Sequence, residues 1–129
     1  MLAVFALGYS LPLAGSMVGS SSRGPQHEDT SYIKPEIGAP GASASAIAGS
    51  GTDTGPFGGT SGAAPMVAGA AALMIEAHPA RSALQIKAML MNSADATVYT
   101  NPATKPGELA PITRIGAGEL RVNRAVALS

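Results

Sequence analysis

The sequence contains no cysteine and no tryptophan, and only 4% of its 129 residues are aromatic. Without cysteine, the chain has neither a disulfide framework nor a thiolate metal site. With few aromatic side chains, it has little bulk to fill a large pocket. The 16 glycines and 10 prolines separate the apolar stretches. They therefore predict turns within one folded domain rather than a low-complexity segment.

Charge is also scarce, since eight Lys and Arg residues balance eight Asp and Glu residues. No basic stripe suggests a nucleic-acid-binding surface, and no polybasic amphipathic helix suggests a membrane surface. The apolar stretch at residues 1–13 is too short to span a bilayer. No group of His, Asp and Glu has the spacing of metal ligands. The sequence therefore predicts no nucleic acid, membrane or resident metal as a partner.

The most informative stretch is residues 59–69, which read Gly-Thr-Ser-Gly-Ala-Ala-Pro-Met-Val-Ala-Gly. Glycine lets the main chain approach a substrate without a Cβ in the way. Proline is tolerated in the first turn of a helix, where its missing N–H costs nothing. Ser61 therefore lies in a tight turn at the start of a helix, whose free N–H groups favour developing negative charge. This arrangement suits a serine nucleophile, whose attack on a carbonyl creates an oxyanion.

This stretch resembles the serine motif of the subtilases, the subtilisin-like serine peptidases: Gly-Thr-Ser, a small residue two positions later, proline, and a small-residue helix. Three further stretches resemble subtilase segments in the family's order. They are Ser-Ser-Arg-Gly-Pro at 21–25, Lys-Pro-Glu-Ile-Gly-Ala-Pro-Gly at 34–41, and Ile-Gly-Ala-Gly-Glu-Leu-Arg-Val-Asn at 115–123. The resemblance covers about residues 18–128, nearly the whole chain.

The resemblance implies a serine endopeptidase that acts on polypeptides, with Ser61 as the nucleophile and its backbone N–H in the oxyanion hole. It places Gly59 and Thr60 beside the substrate. Phe57 would line the leaving-group side of the cleft or, alternatively, pack under the loop. The implied fold is α/β, part of a three-layer subtilisin-like architecture in which a parallel sheet surrounds a buried central helix. Many subtilases are secreted and bind calcium, but the resemblance maps no calcium site onto this chain.

Subtilases carry their triad in the order Asp, His, Ser, and the motifs of the first two are absent before Ser61. The oxyanion-hole asparagine of the family also lies upstream, whereas the first asparagine here is Asn92. We therefore expect an upstream part of the catalytic domain to supply these groups, and little or no hydrolysis by the isolated chain. The alternative is a non-catalytic remnant or accessory chain that retains half of the fold.

The histidines of this chain are poor substitutes for the missing base. His78 precedes Pro79 at the far end of the predicted helix, on the order of 20 Å from Ser61. A base must lie within about 3 Å of the hydroxyl, so we interpret His78 as a residue at the negative end of the helix dipole. His27 lies in a polar run and is interpreted as exposed loop. Asp53 is interpreted as a turn residue.

Residues 1–19 are interpreted as an apolar lead-in, either the end of an insertion or a truncated start, before a catalytic part at 20–129. A signal peptide is the alternative for residues 2–7, but no Lys or Arg precedes Arg23. We predict a weak strand at 42–48, a loop at 49–60 and a helix at 63–77 that is apolar all round and hence buried. Ser82 and Gln85 predict a capping box for a second helix. Residues 122–128 predict a short helix capped by Asn123.

Overall fold

The computed structural model describes residues 14–26, 28 and 32–128. The chain is mixed α/β. Within these ranges the strands are β1 (Ser43–Ala46) and β2 (Thr54–Phe57). Its α-helices are α1 (Thr60–Ala77), α2 (Ala83–Asn92), α3 (Ile112–Ile115) and α4 (Val122–Val126), and a 3₁₀ turn spans Pro102–Thr104.

The strands β1 and β2 form an antiparallel hairpin in which Ser43 pairs with Phe57 and Ala46 with Thr54. The strand β1 confirms the strand predicted at 42–48. The loop predicted at 49–60 is wrong in part, because its second half forms β2. Gly55 and Pro56 favour turns locally, but pairing with β1 outweighs that preference.

The predicted parallel sheet is not seen within the described ranges. There, parallel pairing is confined to two isolated bridges, Ser16 with Tyr99 and Gly38 with Glu119. A parallel sheet needs its neighbouring strands and helices that cover both of its faces. The parallel sheet therefore stays a prediction for the complete catalytic domain.

The main core lies where α1, α2 and α4 meet. Its buried residues are Ala70, Met74, Ile86, Leu90, Leu120 and Ala125. A smaller core joins Met17, Val98 and Ile115. Within the described part of the chain, no helix is both long enough and apolar enough to cross a membrane.

Burial of the long helix α1 is one-sided, which corrects the prediction of a helix buried all round. Met74 is fully buried, whereas Leu73 and Ile75 are 54% and 58% exposed. The described part of the chain packs only one face of α1, against α2 and α4. The outward face is therefore apolar without cover from the described residues.

The predictions for helix ends have mixed outcomes. The capping box of α2 is confirmed, because the Ser82 hydroxyl accepts the N–H of Gln85 and the Gln85 amide oxygen accepts the N–H of Ser82. The cap predicted at Asn123 is wrong: α4 begins at Val122, and Arg121 occupies the cap position without a capping side chain. The helix α3 was not predicted.

Candidate active site

Ser61 is exposed in the first turn of α1, which begins three residues before the helix predicted at 63–77. Gly59 precedes the helix at φ 80° and ψ −169°, a region of backbone conformation that essentially only glycine adopts. This conformation turns the chain from β2 into α1 within two residues. Ser61 is therefore presented at a helix N-terminus by a turn that requires glycine.

The first hydrogen bonds of α1 begin after Ser61. The carbonyl of Gly59 accepts the N–H groups of Gly62 and Ala63, at 3.0 and 3.3 Å. The amides of Thr60 and Ser61 come before these two, among the helix's first N–H groups, which have no intrahelical acceptor. Such groups sit at the positive end of the helix dipole and can donate to a developing oxyanion.

The residues predicted to contact substrate precede Ser61 directly. Gly59 and Thr60 are exposed, and Phe57 is 43% exposed at the end of β2. The carbonyl of Phe57 accepts a hydrogen bond from Ser43 Oγ at 3.3 Å, which ties the end of β2 to β1. The structure thus places these three residues next to Ser61 on one short, accessible segment.

The histidine near the end of α1 lies far from Ser61. His78 is the C-cap of α1, so the helix places it about 25 Å from Ser61 at 1.5 Å per residue. Its ring Nε2 lies 3.1 Å from the carbonyl oxygen of Val126 in α4. His27 lies outside the described residues. The carbonyl of Asp53 accepts the N–H of Ile47 in the hairpin turn, as expected of a turn residue.

None of the ion pairs among the described residues involves the segment 57–61. Glu36, in the stretch 34–41, accepts from Lys87 of α2 and lies 2.9 Å from Lys34 Nζ. These hydrogen bonds, the one from Lys87 first, lower the pKa of Glu36 despite its partial burial. No group of three or more His, Asp or Glu suited to a metal ion occurs among the described residues.

Sequence reasoning missed Arg114, which is buried in α3. Its guanidinium donates to the carbonyls of Val18 and Thr100, at 3.0 and 3.3 Å, and so joins two separate segments. Burial, followed by the nearby charge of Arg23, lowers the pKa of Arg114. The only signal of its burial in the sequence is that this cation lies in the short segment Ile112–Ile115, which has an isoleucine at each end.

Two of the stretches singled out in the sequence pair through their backbones. The N–H of Gly38 donates to the carbonyl of Gly118 at 2.9 Å, and the N–H of Leu120 donates to the carbonyl of Gly38 at 2.8 Å. A third bond joins the N–H of Ala117 to the carbonyl of Glu36 at 3.0 Å. Stretches 34–41 and 115–123, far apart in sequence, therefore form one unit.

Comparison with known proteins gives a family and several relatives. The model of the subtilase family matches residues 3–118. The chain is 37% identical over 127 residues to the minor extracellular protease Vpr of Bacillus subtilis (strain 168), an alignment covering 95% of this chain. It is 36% identical over 129 residues to the subtilisin-like protease SBT3.12 of Arabidopsis thaliana, covering 88% of this chain.

The relatives are much longer than this chain. It spans 15% of the length of Vpr and 16% of that of SBT3.12. A third relative, SBT3.5 of Arabidopsis thaliana, is 39% identical over 95 residues, which is 66% of this chain and 12% of the relative. Because the family match spans nearly all of the sequence, the chain belongs to the subtilase family.

Proposed function

We propose that this chain is part of a serine endopeptidase catalytic domain and that Ser61 is its nucleophile. The observation that carries the proposal is Ser61 itself, exposed at the N-terminus of α1 directly after a turn whose backbone conformation at Gly59 favours glycine. Ser61 Oγ attacks the substrate's peptide carbonyl, and the Ser61 N–H donates to the oxyanion that forms. The base takes the Ser61 hydroxyl proton as the serine attacks and passes it to the amine as the C–N bond breaks. The same base then deprotonates a water that attacks the acyl ester and returns the proton to Ser61 Oγ, which leaves the carboxylic acid product and the free serine.

The residues before Ser61 hold the substrate. Gly59 and Thr60 present their main chain to the peptide beside the scissile bond, and the half-exposed ring of Phe57 lines the leaving-group side. Their accessibility next to Ser61 supports this assignment. The catalytic part comprises residues 20–129, after a lead-in at 1–19. As in the relative whose name describes an extracellular protease, we place the enzyme outside the cell.

The base, its orienting aspartate and the oxyanion-hole asparagine come from an upstream part of the catalytic domain. Two observations support this partner. The relatives extend far beyond the length of this chain, and the exposed surface of α1 is apolar, with Leu73 and Ile75 more than half exposed on the two sides of the buried Met74. A groove of about 250 Å³ beside Ile75, between α1 and α2, extends this apolar surface. The upstream part would cover it and complete the parallel sheet.

The chain alone is then expected to be inactive, because removing the base of a serine peptidase typically costs about 10⁶-fold in kcat. The second candidate is a non-catalytic remnant that keeps half of the fold. The uncovered apolar surface of α1 is also what a remnant without a partner chain would have. Such a remnant is expected to self-associate or aggregate through this surface.

Labelling with a fluorophosphonate probe tests the proposal. The chain is labelled alone and mixed with Vpr that lacks the corresponding segment, and Ser61→Ala is compared with the exposed-serine control Ser45→Ala. We expect labelling only in the mixture, lost in Ser61→Ala and retained in Ser45→Ala. Labelling of the chain alone that Ser61→Ala abolishes would show that a base lies within these 129 residues. If the probe labels the chain neither alone nor in the mixture, the result favours the second candidate, a non-catalytic remnant.

A further inference from the structure

We infer that Gly41 is a positioning residue for Ser61, because its main chain packs against the turn that begins α1 and determines where the serine hydroxyl lies. The role of Ser61 as nucleophile rests on the proposed function, whereas the contact with Gly41 does not. Gly41 ends the stretch 34–41, which has no chemical group of its own that reaches the serine. Its contribution is therefore geometric.

The contact between the two segments is reciprocal and leaves no room for a side chain on either. A Cβ on Gly41 would lie 2.7 Å from the carbonyl oxygen of Gly59, and a Cβ on Gly62 would overlap the carbonyl oxygen of Gly41. Neither Gly41 nor Gly62 has a positive φ. Glycine is needed at both positions for space rather than for backbone conformation, so the two main chains are in direct van der Waals contact.

This contact takes the place of a side-chain cap. Helices commonly fix their first turn through a Ser, Thr, Asp or Asn side chain at the N-cap, whereas the N-cap of α1 is Gly59, which has no side-chain cap. Residues 41–43 hold the turn instead. Gly41 packs against Gly59 and Gly62, and Ser43 Oγ donates to the carbonyl of Phe57.

Gly41 is itself held in place by the stretch 115–123. Three residues before it, Gly38 donates to the carbonyl of Gly118 and accepts from the N–H of Leu120. The backbone ladder at 36–38 therefore sets the position of residue 41, which in turn sets the position of the Ser61 turn. Three stretches that are remote in sequence are thus connected physically, ending at the nucleophile.

The test uses the chain labelled with [¹⁵N]serine. The amide signal of Ser61, assigned by its loss in Ser61→Ala, reports on the turn, and that of the buried Ser93 at the end of α2 reports on the fold. We expect Gly41→Ala to move the Ser61 signal by more than its line width and to leave the Ser93 signal in place. Gly19→Ala is the matched control, because its added Cβ meets nothing within 4 Å, and it should move neither signal.

A native-state chemical shift reports local geometry, so a general loss of stability would not move it. An unmoved Ser61 signal in folded Gly41→Ala would overturn the inference. If Gly41→Ala loses the native Ser93 signal, Ser43→Ala decides instead, because it removes a hydrogen bond without adding bulk. A moved Ser61 signal in that variant supports the inference and an unmoved one overturns it. Fluorophosphonate labelling is a separate readout. If Gly41→Ala moves the Ser61 amide signal but the wild type is never labelled, the proposed function is wrong and the positioning role of Gly41 stands.

Discussion

At the scale of single residues, Gly59 has the most demanding conformation in the candidate site. A Cβ at position 59 would meet nothing within 4 Å, so only its φ of 80° penalises another residue. We expect Gly59→Ala to lower the free energy of unfolding by about 1–3 kcal/mol, the usual cost of this backbone region for a residue with a Cβ. Denaturant unfolding followed by circular dichroism measures the change.

Gly69→Ala is the matched control for Gly59→Ala. Its added Cβ also meets nothing within 4 Å, but Gly69 lies inside α1 with helical geometry. Alanine should stabilise the helix there by about 0.5–1 kcal/mol. Equal effects of the two substitutions would show that the backbone conformation at residue 59 carries no special cost.

At the scale of elements, Glu36 connects α2 to the stretch that holds Gly41. The hydrogen bonds from Lys87 and Lys34 lower its pKa from the ordinary value of 4.5. Because the pKa of Glu36 is lower in the folded state than in the unfolded state, its stabilisation is complete above the unfolded pKa. It is lost as pH falls through the folded pKa.

We therefore expect the wild type to lose stability relative to Glu36→Gln as the pH falls below about 5. The difference should stay under about 1 kcal/mol, since the three side chains are a third to a half exposed. Free energies of unfolding measured across this pH range test it. Lys87→Met, which removes the main cause of the shift, should reduce the difference. The same pH slope in the wild type and Glu36→Gln would contradict the assignment, because the lowered pKa of Asp95 contributes equally to both.

At the scale of the whole molecule, local signals predicted local structure. The Gly-Thr-Ser turn, the Ser82 capping box and the alternating residues at 42–48 each depend on neighbours in sequence, and each has its counterpart in α1, α2 or β1. The strand β2 was missed because Gly55 and Pro56 favour a loop until β1 pairs with them. The cap at Asn123 was wrong because α4 already begins at Val122, so the cap position falls two residues earlier, at Arg121.

Contacts across the fold were beyond sequence reasoning. The position of Ser61 in its turn could be predicted from the motif, but the contact between Gly41 and Gly62 joins residues that only the folded chain brings together. The burial of α1 was mispredicted for a related reason. An apolar helix indicates that something covers it, but it does not say whether that cover lies within the same 129 residues.

The outward face of α1 therefore leads to a prediction about the molecule as a whole. Leu73 is 54% exposed on this face, whereas Leu90 of α2 is buried in the core. We expect Leu73→Gln to change the unfolding free energy of the isolated chain by less than about 0.5 kcal/mol. Leu90→Gln should cost about 3 kcal/mol or more, because it leaves a polar group in the core.

Two further measurements compare Leu73→Gln with the wild type. One is the binding of an apolar dye, and the other is fluorophosphonate labelling in the mixture with truncated Vpr. Leu73→Gln should bind less dye and, if the upstream part of the domain docks on α1, should lower labelling of Ser61 without unfolding the chain. Equal destabilisation by Leu73→Gln and Leu90→Gln would mean that the outward face is already covered in solution, by self-association of this chain. Undiminished labelling would place the docking surface of the upstream part away from Leu73.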